Sequence, residues 1–148
     1  MREKLLEVIG TFFYIGYVPV APGTACSFVT MVLFFFFPQF SLIQSLLLWI
    51  VLLGIGVYTA GFIAKKRGEK DPRSAVIDEV LGMVIALFMV KKTLFLYVVS
   101  FGVFRFFDIV KPFPISYIER NVDGGWGVML DDVVAGAVTC FVMWLCFA

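Results

Sequence analysis

Apolar residues run along this chain in long blocks, broken by glycine, proline and a few knots of charge. Residues 4–18 predict a first helix at a membrane interface, with Arg2 and Lys4 beside headgroups. Val18-Pro19-Val20-Ala21-Pro22-Gly23 cannot continue a helix, because proline lacks an amide proton and crowds the preceding turn. Thr24 can cap a second segment, 24–37, which stops before Pro38. Fourteen residues rise only about 21 Å. That segment is therefore a tilted crossing or a re-entrant one. Ser41 to Ala64 is long enough to span a bilayer outright. A charged loop covers 65–73, and Asp71-Pro72 opens a helix over 74–90. Lys91-Lys92 makes a tight turn, 93–110 returns, 111–127 forms a polar connection rich in Pro and Gly, and 128–148 is the last span. The pattern predicts an all-α, polytopic helical membrane protein in one domain over 1–148. It has about five membrane helices and an N-terminal interfacial helix.

Composition strengthens the membrane reading. Hydrophobic residues make up 61% of the 148 and charged residues 16%. Soluble domains sit nearer one half and one quarter. From Val8 to Ala64 there is no Lys, Arg, Asp or Glu. A soluble helical bundle with such a sequence would lack a polar outer surface. The net charge of +1 gives no basic field for nucleic acid. Membrane lipid is the partner expected, with no obligate protein partner. Cys26, Cys140 and Cys146 lie in apolar stretches without metal-type spacing and read as small buried hydrophobes.

Charge then gives the membrane protein a direction. With the N-terminus cytoplasmic and five crossings, ten of the twelve Lys and Arg residues fall on the cytoplasmic side. Only Lys91 and Lys92 fall on the other. Within that frame three helices bring acids to one depth at one face. Asp78 and Glu79 begin the 74–90 helix, Arg105 and Asp108 end the 93–110 helix just before Lys111, and Asp131 and Asp132 begin the last. Ionisable groups in membrane helices are costly and mark function or pairing. Adjacent carboxylates such as Asp78-Glu79 and Asp131-Asp132 need a compensating cation or base. Arg105, Asp108 and Lys111 follow an i, i+3, i+6 spacing, so one helix face can present all three. Gly124-Gly125-Trp126-Gly127 precedes Asp131-Asp132 and could leave amides free to approach an anion.

Oxygen ligands suit a hard cation, and Mg²⁺ is commonly held by one or two carboxylates with substrate phosphate. Carboxylates beside Arg and Lys thus fit a phosphoryl site. The chain has no histidine, which removes phosphohistidine chemistry and Ser-His-Asp triads. No cysteine lies in a Cys-x₅-Arg motif, and no Asp-x-Asp motif occurs. Metal-activated water, or an aspartyl nucleophile in an unfamiliar setting, remains.

Four blocks carry a family resemblance: Ala21-Pro22-Gly23-Thr24, Asp78-Glu79 with Gly82, FRFFDIVKPFPI over 104–115, and NVDGGWGVMLDDVVAG over 121–136. The chain resembles the phosphatidylglycerophosphatase A family over most of its length. Ile77 stands where many relatives have an aromatic residue. The resemblance implies a Mg²⁺-dependent phosphatase in the bacterial inner membrane, converting phosphatidylglycerophosphate to phosphatidylglycerol at the cytoplasmic leaflet. Under it, Glu79, Asp131 and Asp132 hold Mg²⁺. Asp78 and Asp108 are further ligands or the base. Lys111 and Arg105 bind and neutralise the phosphate. Thr24, Gly124 and Gly125 line the headgroup pocket.

Two other readings compete. Intramembrane acids also mark ion or proton paths in transporters and channels. Here the acids gather at one face and form no ladder across the bilayer. A structural subunit with charge-paired helices would leave the Gly-Gly-x-Gly beside Asp-Asp unexplained.

Overall fold

The computed structural model describes residues 1–148 and is all-helical, with no strand. Seven helices follow in order: α1 (Arg2–Gly10), α2 (Pro22–Phe36), α3 (Leu42–Arg67), α4 (Ile77–Ala86), α5 (Leu94–Val110), α6 (Ile115–Asn121) and α7 (Gly124–Phe147). A short 3₁₀ turn, Ile15–Tyr17, lies between α1 and α2.

Local chemistry explains most boundaries. Pro22 sits in the first turn of α2, where its missing amide is harmless. Ser41 and Gln44 form a reciprocal capping box at the start of α3, and Gly68 ends that helix in the left-handed conformation. The Thr93 hydroxyl caps α5 by accepting from the Leu96 amide. The expected first helix over 4–18 is shorter, ending at Gly10. The helix expected over 74–90 keeps only its middle, Ile77–Ala86. Part of the polar connection over 111–127 is itself helical, as α6, and α7 begins at Gly124.

Two helices, α3 and α7, are long and apolar enough to cross a membrane. Of the other expected crossings, α2 has 15 residues, α4 has 10 and α5 has 17. Each falls short of the roughly 20 residues a perpendicular crossing takes. The outer face of α3 carries exposed Leu46, Leu47, Ile50, Val51, Ile55 and Tyr58, a stripe at helical spacing. A contiguous exposed apolar stripe of this kind suits lipid rather than water.

The core forms around α4, all ten of whose residues are buried. It packs against α2, α3, α5 and α7, most extensively α7. Small residues allow this closeness. A Cβ on Gly136 would collide with the Gly82 carbonyl, and one on Gly82 would meet the Phe104 ring at 2.7 Å. On the other side of α7, a Cβ on Gly125 would collide with the Val57 carbonyl of α3. Close backbone approach through small residues is how helices associate when lipid removes the usual hydrophobic drive. Of the cysteines only Cys26 is fully buried, Cys140 is half-buried and Cys146 is exposed.

Candidate active site

The starts of α2, α4 and α7 and the end of α5 meet at one end of the bundle, beside the loop before α4. Between them lies a cleft of about 610 Å³. Six carboxylates line it, Asp71, Asp78, Glu79, Asp108, Asp131 and Asp132, together with the bases Arg73, Arg105 and Lys111. The convergence expected from sequence is therefore present. Asp78, Glu79, Arg105, Asp108, Lys111, Asp131 and Asp132 share one cavity although they come from three helices.

Several of these charges are paired across helices. Arg105 Nη1 lies 2.6 Å from Glu79 Oε2 and 2.5 Å from Asp108 Oδ2. The second contact follows from i, i+3 spacing on α5. One guanidinium nitrogen thus ties α5 to α4. Ser27 of α2 donates its hydroxyl to the Gly23 carbonyl and lies 3.1 Å from Glu79 Oε2. Gly23 itself packs directly on Glu79, where any Cβ would collide with Oε1.

Lys111 caps α5 in the left-handed conformation, with φ +47°. Glycine is the usual residue there, since an L side chain costs roughly 1–2 kcal/mol in that region. The side chain justifies the strain: its ammonium lies 2.8 Å from both Asp131 Oδ2 and Glu119 Oε1. Burial alone would pull the Lys111 ammonium down. Hydrogen bonds to Asp131 and Glu119 outweigh it and raise the group above the ordinary lysine range. Lys111 is accordingly charged at any physiological pH.

Not every acid is matched in this way. Asp78 Oδ1 and Asp132 Oδ2 are buried with no hydrogen-bond partner. Buried carboxylate oxygens of that kind are rare and need an account. Ligand atoms of Glu79, Asp108 and Asp132 all lie within 4.8 Å of one another. With carboxylates outnumbering bases and oxygen the only donor type, the residues fit a hard divalent cation. Asp131, grouped with the metal ligands on sequence, lines the same cleft and pairs with Lys111. Asp108 stands in the three-acid cluster.

The same cleft offers donors to an anion. Ala21 gives α2 no side-chain cap, and the Gly23 and Thr24 amides take no backbone partner. The positive end of that helix opens beside Arg105. Gly23 is in the cleft wall, whereas Thr24 is not. Gly124 and Gly125 also lie apart from it. Gly124 borders a separate surface cleft with Lys65 and Lys70, and Gly125 packs against α3.

Sequence reasoning missed four contributors. Asp71 has the sequence signature of a helix start and Arg73 that of a charged loop, yet both line the cleft. Ser27 lies four residues beyond Gly23, one turn along the same helix, a spacing that could have revealed it. Glu119 reaches Lys111 only because the chain reverses over Pro112–Pro114 into α6, and no periodicity reveals that.

A family model described as Phosphatidylglycerophosphatase A matches residues 8–147. Phosphatidylglycerophosphatase A of Escherichia coli K12 is 38% identical over 146 residues, covering 93% of this chain and 81% of that protein. The Haemophilus influenzae Rd protein of the same name is 30% identical over 140 residues, covering 93% and 86%. A Bacteroides thetaiotaomicron protein provisionally named phosphatidylinositol-3-phosphatase is 40% identical over 144 residues, covering 91% and 89%. No solved structure matches the chain. With nearly its whole length matched and its acids gathered in one cleft, the chain belongs to the phosphatidylglycerophosphatase A family.

Proposed function

We propose that this protein is a multi-pass enzyme of the bacterial inner membrane that hydrolyses phosphatidylglycerophosphate to phosphatidylglycerol and phosphate. Its cleft faces the cytoplasmic leaflet, and Mg²⁺ is its cofactor. The observation that carries this reading is the single cleft in which unpartnered buried carboxylates stand beside Arg105, Lys111 and the free amides of α2. A transport path would need polar groups through the bundle. The other half of the bundle carries no acidic side chain, and Lys91 and Lys92 are its only charged residues.

Glu79, Asp108 and Asp132 would hold the cation, with Asp78 as a further ligand or as the base. Once bound, the ion neutralises phosphoryl oxygens. A phosphomonoester carries close to two negative charges, and Arg105 and Lys111 already face carboxylates. Those two side chains, with the Gly23 amide, orient the phosphate and stabilise charge developing on its oxygens. Asp78 Oδ1 is free to take a proton from the attacking water. The water oxygen bonds to phosphorus as the phosphorus–glycerol oxygen bond breaks, and the departing oxygen takes up a proton. Asp131 and Glu119 hold Lys111 in place. The acyl chains stay in the bilayer along the apolar helix faces, so the lipid need not leave it.

The membrane arrangement proposed is five crossings with α1 at the interface and α2 tilted or re-entrant. The positive charge near the cleft supports it.

The relative named for phosphatidylinositol 3-phosphate favours a second substrate, a phosphomonoester on inositol rather than glycerol. Phosphate release by the purified protein in mixed micelles separates these readings. Mg²⁺-dependent release from phosphatidylglycerophosphate, abolished by EDTA and faster than from phosphatidylinositol 3-phosphate or phosphatidate, is expected. Faster release from the inositol lipid would select the second substrate. No release from any of the three by folded protein would overturn the phosphatase assignment.

A further inference from the structure

A second cavity lies at the opposite end of α4 from the carboxylates. It encloses about 340 Å³ between the end of α2, the start of α3 and the turn after α4, within the range of about 300–1,000 Å³ typical of small-molecule sites. Its walls are mostly apolar, including Phe34, Leu48 and Leu87. Polar side chains interrupt them, among them Gln39, Ser45 and the Trp49 indole. Ser45 is 3% exposed, and the Trp49 indole nitrogen is buried with no acceptor. A buried indole N–H normally has a partner.

The charge at this end has one sign. Lys91 is exposed and lines the cavity, and the ammonium of the adjacent Lys92 donates to the Phe37 carbonyl at the end of α2. No acidic side chain borders the cavity. All six ion pairs of the molecule involve other residues, so Lys91 has no counter-ion within the protein.

We infer that this cavity binds one anionic phospholipid from the leaflet opposite the catalytic cleft, with its phosphate on Lys91 and an acyl chain between α2 and α3. Ser45 and Trp49 line the wall that the ester region of such a lipid would pass, between headgroup and chain. An apolar slot with a cation at its mouth and isolated donors within matches the three chemical zones of such a lipid. A zwitterionic lipid would gain the slot but bring its own cation to Lys91.

The test reads binding, independently of catalysis. Trp126→Phe with Trp144→Phe leaves Trp49 as the sole indole. Its fluorescence is measured in phosphatidylcholine vesicles doped with equal fractions of brominated phosphatidylglycerol or brominated phosphatidylcholine. Stronger quenching by the anionic lipid is expected. Lys91→Gln should weaken the apparent anionic affinity about fivefold, the scale of one basic side chain near an anionic surface. Lys91→Arg should retain it. Ser45→Phe, which fills the slot, should lower quenching by both lipids. Equal quenching by the two lipids, or an anionic preference unchanged in Lys91→Gln, would overturn the assignment. Folding of each variant is checked by its helical circular dichroism and monodisperse elution, and Lys91→Arg reports the charge without altering it.

Discussion

Arg105 Nη1 stands 2.6 Å from Glu79 Oε2, joining α5 to the first turn of α4 across 26 residues of sequence. The same nitrogen serves Asp108, so one cation stabilises two largely buried acids. Removing one partner from a buried ionic group costs about 3–5 kcal/mol, because the other charges stay behind uncompensated. Arg105→Ala should therefore lower the melting temperature in detergent, most severely in EDTA. Added Mg²⁺ should restore part of the loss, since a divalent cation replaces the missing charge. Thermal unfolding with and without the cation checks this. A loss independent of Mg²⁺ would place the cation elsewhere.

Glu79→Gln and Asp132→Asn remove one negative oxygen each from the three-acid cluster while keeping shape. Outer partners of metal ligands typically cost 10–100-fold, so these two substitutions should reduce phosphate release by more than about 100-fold. The Mg²⁺ concentration for half-maximal activity should rise in whichever variant keeps measurable turnover. Near wild-type release from both variants would be incompatible with the proposed ligand set.

Lys111 and Glu119 should separate in their effects. Lys111→Gln removes the charge that meets phosphate and leaves Asp131 unpaired, so both kcat and kcat/KM should fall by about 100-fold or more. In Glu119→Gln the Asp131 contact persists, and the loss should stay within about tenfold. Steady-state kinetics on the two variants decides. Equal losses would mean that Glu119 does more than steady the lysine.

Two sets of glycines should respond with opposite sign. Gly136→Ala forces α7 away from the Gly82 carbonyl, and overpacking of this kind costs about 1–3 kcal/mol. Gly54 and Gly102 have open space around a built Cβ. Alanine at either should be neutral or raise stability by up to about 1 kcal/mol through helix propensity. Melting temperatures of the three single variants provide the comparison.

The helical class and the meeting of acids at one end were legible in the sequence, because both follow from where charge interrupts apolar periodicity. Asp78 opens α4, Asp108 lies in the last turn of α5 and Asp132 lies about two turns into α7, deeper than a helix starting at 128 would put it. Antiparallel connections bring these segments together whatever the exact packing. Pairings within the cleft were not legible. Asp131 and Asp132 are neighbours in sequence, yet a step of about 100° around the helix sends one to Lys111 and leaves the other in the metal cluster. The place of Gly124-Gly125 was not legible either: Gly125 packs its backbone against Val57 of α3, while Gly124 borders a separate surface cleft. Helix lengths were overestimated for α1 and α4, where hydrophobicity continues past the point at which the backbone turns.

The complete burial of α4 also bears on how the gene can vary. On α3 an outward stripe faces away from the protein, so tolerated substitutions should recur with the 3.6-residue repeat of the helix. On α4 no side of the helix is free. A saturation library across Ile77–Ala86, selected for function, should show depletion without periodicity. Ten consecutive codons would then behave as a single constrained block, whether a given residue supplies a carboxylate, a methyl group or only the absence of one.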